Sequence, residues 1–237
     1  MPEPFRSAVF VHGAGAGGWE WTAWARVFEA AGLSVVAPDL RAAPAGLAAT
    51  TLADYSAQVA AWLDAVARPR VLVGASLGGL LAAMNAGMAD ALVLVNPMPP
   101  RGLPDAPCRP AVVPWGRSAS LAGTRRALPG AEDAAALFAF RRWRDESGAV
   151  LNRAQAGVAL ARPPVPVLVV VSEADQDVPA QISMDLAKAW DATAWHVPGG
   201  HVDPLLGRNA PALAERSFSW LTNLTMGSEN INVSKSV

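Results

Sequence analysis

Short runs of consecutive apolar residues alternate with stretches of helical periodicity along most of the chain. The runs Ala8–His12, Ser34–Pro38, Val71–Gly74, Ala91–Asn96, Val167–Ser172 and Ala194–Val197 read as strands. They are too short for helices, rich in valine and leucine, and continuous rather than alternating, as strands buried on both faces are. Between them the periodicity predicts helices over Trp19–Ala31, closed by Gly32, and over Leu52–Ala67, with Thr51 as its N-cap. Further helices are predicted from Leu77 to about Asn85 and over Ala180–Trp190 and Pro211–Leu221. This βα alternation predicts an α/β fold: a doubly wound, mostly parallel sheet of about six strands with right-handed crossovers. Residues 98–162 break the alternation, first with prolines and then with a helical stretch near Ala131–Arg144, and read as a small helical cap over the sheet. The core is then residues 1–97 and 163–222, and residues 223–237, which lack periodicity, read as a disordered tail.

Composition narrows the classes. Of the 237 residues, 52% are hydrophobic and 16% charged, a mix suited to one compact enzyme-sized domain. A net charge of −1 gives no basic excess for nucleic acid. The single cysteine, Cys108, excludes an internal disulfide and any multi-cysteine metal site. The uncharged run from Val71 to Ala89 approaches membrane-spanning length, but its glycines, Ser76 and Asn85 fit a buried strand followed by a buried helix. No membrane span is expected. The opening residues do not resemble a signal peptide, so a cytoplasmic protein is expected, as a monomer or homodimer.

The candidate chemistry lies at the strand ends. In Val71–Gly79, a strand runs into Gly74-Ala75-Ser76-Leu77-Gly78 and then directly into a helix. A serine on so sharp a turn leaves no room for side chains at its flanks, which the two glycines supply, and the helix N-terminus favours developing negative charge. Such a nucleophile needs a base, and the base needs an orienting acid. His201, in the Pro198-Gly199-Gly200 turn after the last strand, is the candidate base, whereas His196 lies within that strand. Asp175 is the first candidate acid, beyond the strand ending at Ser172, with Asp177 and Glu173 as alternatives. The backbone N–H groups of Leu77 and Ala14, the latter in the glycine turn after His12, are the candidate oxyanion donors.

Gly13-x-Gly15-x-x-Gly18, with Asp39 about twenty residues on, also fits a dinucleotide fingerprint. The bulky Trp19 and Trp21 in the next turn, and the Ser76, Asp175 and His201 that a nicotinamide-dependent oxidoreductase would leave unexplained, count against it.

Taken together, FVHGAGAGGWEW, GASLGG, SEADQDVP and PGGH, in that order, resemble the α/β-hydrolase superfamily from Ala8 to about Leu221, with the early strands of larger members missing. The glycine turn followed by Trp19 is similar to small bacterial serine esterases and to the esterase/hydroxynitrile-lyase branch. The resemblance implies a Ser76–Asp175–His201 triad under a cap, no cofactor and no metal. It implies hydrolysis of a carboxylic ester, thioester or lactone of a small, largely apolar molecule through an acyl-enzyme. Hydroxynitrile-lyase-type chemistry on the same triad is the alternative, and a non-catalytic ligand-binding protein is a further one. His12, Trp19, Met98, Trp115, Phe138 and Trp143 are pocket candidates. The cap is net basic, which fits either a solvated helix face or a substrate bearing an anionic group.

Overall fold

The computed structural model describes residues 3–103 and 105–226. Eight strands are present among them: β1 (Ser7–Val11), β2 (Ser34–Val36), β3 (Arg70–Ala75), β4 (Ala91–Val95), β5 (Val112–Val113), β6 (Glu146–Ser147), β7 (Val167–Ser172) and β8 (Thr193–Val197). Six form one sheet in the order β2-β1-β3-β4-β7-β8, with every neighbouring pair parallel. The helices are α1 (Thr22–Ala30), α2 (Leu52–Asp64), α3 (Leu77–Met84), α4 (Trp115–Ser118), α5 (Leu121–Ala127), α6 (Asp133–Phe140), α7 (Gly148–Ala156), α8 (Ala180–Trp190), α9 (Asp203–Leu206) and α10 (Ala210–Met226).

Alternate residues of each central strand enter opposite layers of core, which is why the strands read as unbroken apolar runs. Val9, Val11 and Leu72 face the layer that holds Val59 and Leu63 of α2, Leu80 and Leu81 of α3, and Trp190 of α8. Ala8, Phe10, Val71 and Val73 face the layer of Trp24 and Phe28 from α1 and Leu213 and Leu221 from α10. Helix boundaries follow local chemistry. Thr51 and Asp54 bond reciprocally as a capping box at α2, and Gly32 takes φ +92° just after α1.

Two sequence expectations differ from the structure. The last helix continues to Met226, because Leu221 and Leu224 lie three residues apart on the face that packs on the core, so residues 223–226 are helical rather than part of a tail. Residues 227–237 lie outside the described residues. The segment between β4 and β7 also contains the antiparallel β5–β6 pair, at two residues each too short to leave a periodic signature.

The chain runs outward from β1 to β2 and then back across to β3, so the strand order reverses where β1 and β3 lie side by side, with Val11 opposite Gly74. Open α/β sheets bind ligands at the carboxyl ends of strands beside such a reversal. No helix among the described residues is long and apolar enough to cross a membrane.

Candidate active site

Ser76 occupies the single residue between β3 and α3, with φ +53° and ψ −119°. For a non-glycine residue this conformation costs on the order of 1–3 kcal/mol, so the surroundings must enforce it. They do so by close approach. A Cβ on Gly74 would lie 2.2 Å from the Gly78 carbonyl oxygen, and one on Gly78 would lie 2.1 Å from that of Val11. The Ser76 N–H donates to the Val95 carbonyl and its own carbonyl accepts from Met98, which ties the turn to the end of β4.

His201 and Asp175 follow β8 and β7 respectively. The two side chains meet, with His201 Nδ1 2.7 Å from Asp175 Oδ2, and both are largely withdrawn from solvent. The other carboxylate oxygen of Asp175 accepts the N–H groups of Asp177 and Val178 at 2.8 and 2.9 Å. Burial works against the imidazolium of His201. The hydrogen bond and charge of Asp175, with the charges of Asp177 and Glu20, outweigh it and raise its pKa above the ordinary value. Asp175, Asp177 and His201 bring potential metal-ligating atoms within 4.8 Å of one another, but both Asp175 oxygens already hold hydrogen-bond partners. Pro179 takes the N-cap position of α8, and Asp177 lines the cavity.

A cavity of about 430 Å³ lies between the sheet edge and the segment joining β4 to β7. Ser76, His201, Ala14 and Leu77 line it, together with Met98, Trp115 and Trp143. The Leu77 amide lies in the first turn of α3, where N–H groups have no intrahelical acceptor. Three pocket candidates are absent from the lining. Trp19 and Phe138 stack edge to face, and Trp19 also meets Trp143, so they join the glycine turn to the overlying helices instead of facing the cavity.

His12 is the third, and it braces the glycine turn. Its Nδ1–H donates to the Gly13 carbonyl, while Nε2 accepts from the Leu40 N–H at 2.8 Å and faces Arg144 at 3.3 Å. Burial pushes its pKa down to about 4, which keeps it neutral. The turn's own N–H groups are held by carboxylates: Gly13 donates to Glu20, Gly15 to Glu146 and Gly18 to Asp39. A phosphate would find these donors occupied and acidic groups beside them.

Two residues that the sequence reading did not single out help to shape the site. Asn96, buried at φ +45°, donates from Nδ2 to Ser172 Oγ and to the His201 carbonyl, and its Oδ1 accepts the Ser172 N–H. Glu20 is buried in the cavity wall and only 2% exposed, with its pKa raised by burial to about 7. A charge between two tryptophans, as in Trp19-Glu20-Trp21, was the available signal for it.

Glu20 and His12 give opposite pH dependences. The folded pKa of Glu20 is raised from 4.5 to about 7, so its contribution to stability is complete below 4.5 and is lost as pH rises through 7. The pKa of His12 is depressed from 6.5 to about 4, so its contribution is present above 6.5 and is lost as pH falls through 4. E20Q, which keeps an acceptor for Gly13, should therefore gain up to about 3 kcal/mol over the wild type near pH 8. It should also lose stability more steeply on acidification. Denaturant titrations across this range check it, and parallel curves for the two proteins would show that Glu20 is ionised at neutrality.

Residues 8–216 match the alpha/beta hydrolase family, and the chain belongs to it. No curated protein matches it significantly. A pyrethroid hydrolase from Sphingobium faniae superposes with a TM-score of 0.71 at 18% identity, covering 95% of this chain and 99% of that one. A methylesterase from Arabidopsis gives 0.73 at 15% identity, covering 94% and 99%. A variant of tomato methylketone synthase I, complexed with beta-ketoheptanoate, gives 0.69 at 14%, covering 94% and 98%. At these identities the likeness is one of fold.

Proposed function

We propose that the chain is a serine hydrolase that cleaves a carboxylic ester, or a related thioester or lactone, through an acyl-enzyme. One observation carries this reading: Ser76, held at positive φ between β3 and α3, opens into the same cavity as a His201 whose Nδ1 is engaged by a buried Asp175. Family membership supports it, and so do the activities named for its structural neighbours, a hydrolase and a methylesterase.

In this mechanism His201 Nε2 takes the Ser76 proton as the oxygen attacks the substrate carbonyl. Asp175 holds the Nδ1–H tautomer and stabilises the imidazolium that forms. The N–H groups of Ala14 and Leu77 receive the oxyanion, and His201 returns its proton to the leaving alkoxide. Water, activated by the same histidine, then releases the acid. Residues 98–162 act as a cap whose inner face selects the substrate.

A fluorophosphonate reacts only with an activated serine. Labelling of the wild type, located at Ser76 by peptide mass spectrometry and absent from S76A, is the expected result. An unlabelled wild type, or ester turnover undiminished in folded S76A, would overturn the reading.

A further inference from the structure

We propose that Arg109 and Arg126 form a carboxylate-binding site in the roof of the Ser76 cavity, so that the preferred substrate is an ester bearing a free carboxylate. This rests on the serine hydrolase reading and names its substrate class.

The segment that covers the sheet edge is rich in arginine, yet its arginines are used differently. Arg117, Arg125 and Arg144 are held in ion pairs with Asp145, Asp133 and Asp39. Arg109 and Arg126 instead line the cavity, and among the described residues neither has a carboxylate within ion-pair distance. Arg109 is the better defined of the two. Asn152 of α7 clamps its backbone from both sides, accepting its N–H at 2.7 Å and donating to its carbonyl at 3.0 Å. Its Nε is buried without a hydrogen-bond partner. A guanidinium that lines the cavity and has no carboxylate partner within the protein is left without a counter-charge, which an anionic group of the substrate would supply. Arg126, near the end of α5, sits against the base-bearing loop: a Cβ on Gly200 would lie 3.2 Å from the Arg126 carbonyl oxygen.

The charges of the cavity are also sorted by side. Asp177 belongs to the sheet side with Ser76 and His201, whereas both arginines belong to the covering segment. An ester with a distal carboxylate is therefore drawn to the roof and repelled from the floor, which leaves its carbonyl end at Ser76. A neutral ester has no such preference of orientation.

The test uses two matched pairs of esters on the full chain. In one, the para-nitrophenyl monoester of adipic acid is compared with its isopropyl-ended isostere. In the other, para-carboxyphenyl acetate is compared with para-carbamoylphenyl acetate, which places the anion on the leaving group. The readout is the ratio of kcat/KM, anionic over neutral, in wild type, R109Q, R126Q and R141Q. Arg141 is exposed and absent from the cavity lining, so R141Q reports the long-range field alone. The expected result is a wild-type preference for the anion in at least one pair. R109Q and R126Q should each reduce it about tenfold, as the loss of a charge-assisted hydrogen bond does, and R141Q should leave it in place. Arg126 is exposed, so R126Q stays informative should R109Q fold poorly. Absence of preference in both pairs, its survival in both cavity variants, or an equal loss in R141Q would overturn the proposal, with the hydrolase reading intact if neutral esters still turn over. No turnover of any of the four, with Ser76 unlabelled by fluorophosphonate, would overturn both.

Discussion

Asp175→Asn is expected to lower kcat for ester hydrolysis by about 10⁴-fold while the protein stays folded. The two oxygens of Asp175 are not equivalent. Oδ1 accepts the N–H groups of Asp177 and Val178, and Oδ2 faces His201 Nδ1 at 2.7 Å. An asparagine must keep its carbonyl oxygen toward the two amides, because an NH₂ there would meet two donors. Its NH₂ is then turned onto His201 and donates to Nδ1. That locks the ring with its proton on Nε2, the nitrogen that must accept from Ser76. Substrate binding is little affected, so the loss appears in kcat and not in KM. Steady-state kinetics on a chromogenic ester, with circular dichroism for the fold, check it, and a kcat within tenfold of wild type would exclude Asp175 as the orienting acid.

Gly78→Ala is expected to be among the most damaging single methyl additions to this chain. The new Cβ would fall 2.1 Å from the Val11 carbonyl oxygen and 2.5 Å from that of His12. Both obstacles are backbone, so no rotamer change relieves them, and either the end of β1 or the start of α3 must move. A stability loss of roughly 4 kcal/mol or more is expected. Turnover should fall with it, because the same shift displaces Ser76, which sits between β3 and α3. Gly87 provides the internal contrast: nothing lies within 4 Å of a Cβ built there, and Gly87→Ala should change stability by no more than about 0.5 kcal/mol. Equal denaturation midpoints for the two variants would show that the elbow has slack.

The four central strands were legible because a parallel strand covered on both faces is apolar at nearly every position, a pattern that needs no partner to be seen, whereas the partly exposed edge strands β2 and β8 showed only as short apolar runs between turns. Strand ends were legible for the same reason, and with them the loops that carry Ser76, Asp175 and His201. The loop of Gly13 was harder to read, since a tight glycine turn looks alike whether its amides hold a phosphate or, as here, Glu20, Glu146 and Asp39. Burial of single polar groups left little trace. Glu20 reads as a surface charge until Trp21, fully buried beside it, shows which way that turn faces. The aromatic residues show the converse limit: Trp19, Phe138 and Trp143 look equivalent by type, and only their packing against one another separates the one that reaches the cavity from the two that do not. Asn96 was invisible because its partners, Ser172 and the His201 carbonyl, stand 76 and 105 residues away.

The loop that carries His201 is fastened above as well as below. The Val202 N–H donates to the Ala127 carbonyl at the end of α5, and the Asp203 carboxylate accepts the N–H groups of both Gly200 and Gly130. The roof and His201 are therefore joined at this end of the cavity. A molecule too bulky to enter without lifting α5 would pull on His201 as it arrived, so the size that the cavity admits and the placement of that imidazole depend on the same two contacts between loop and roof.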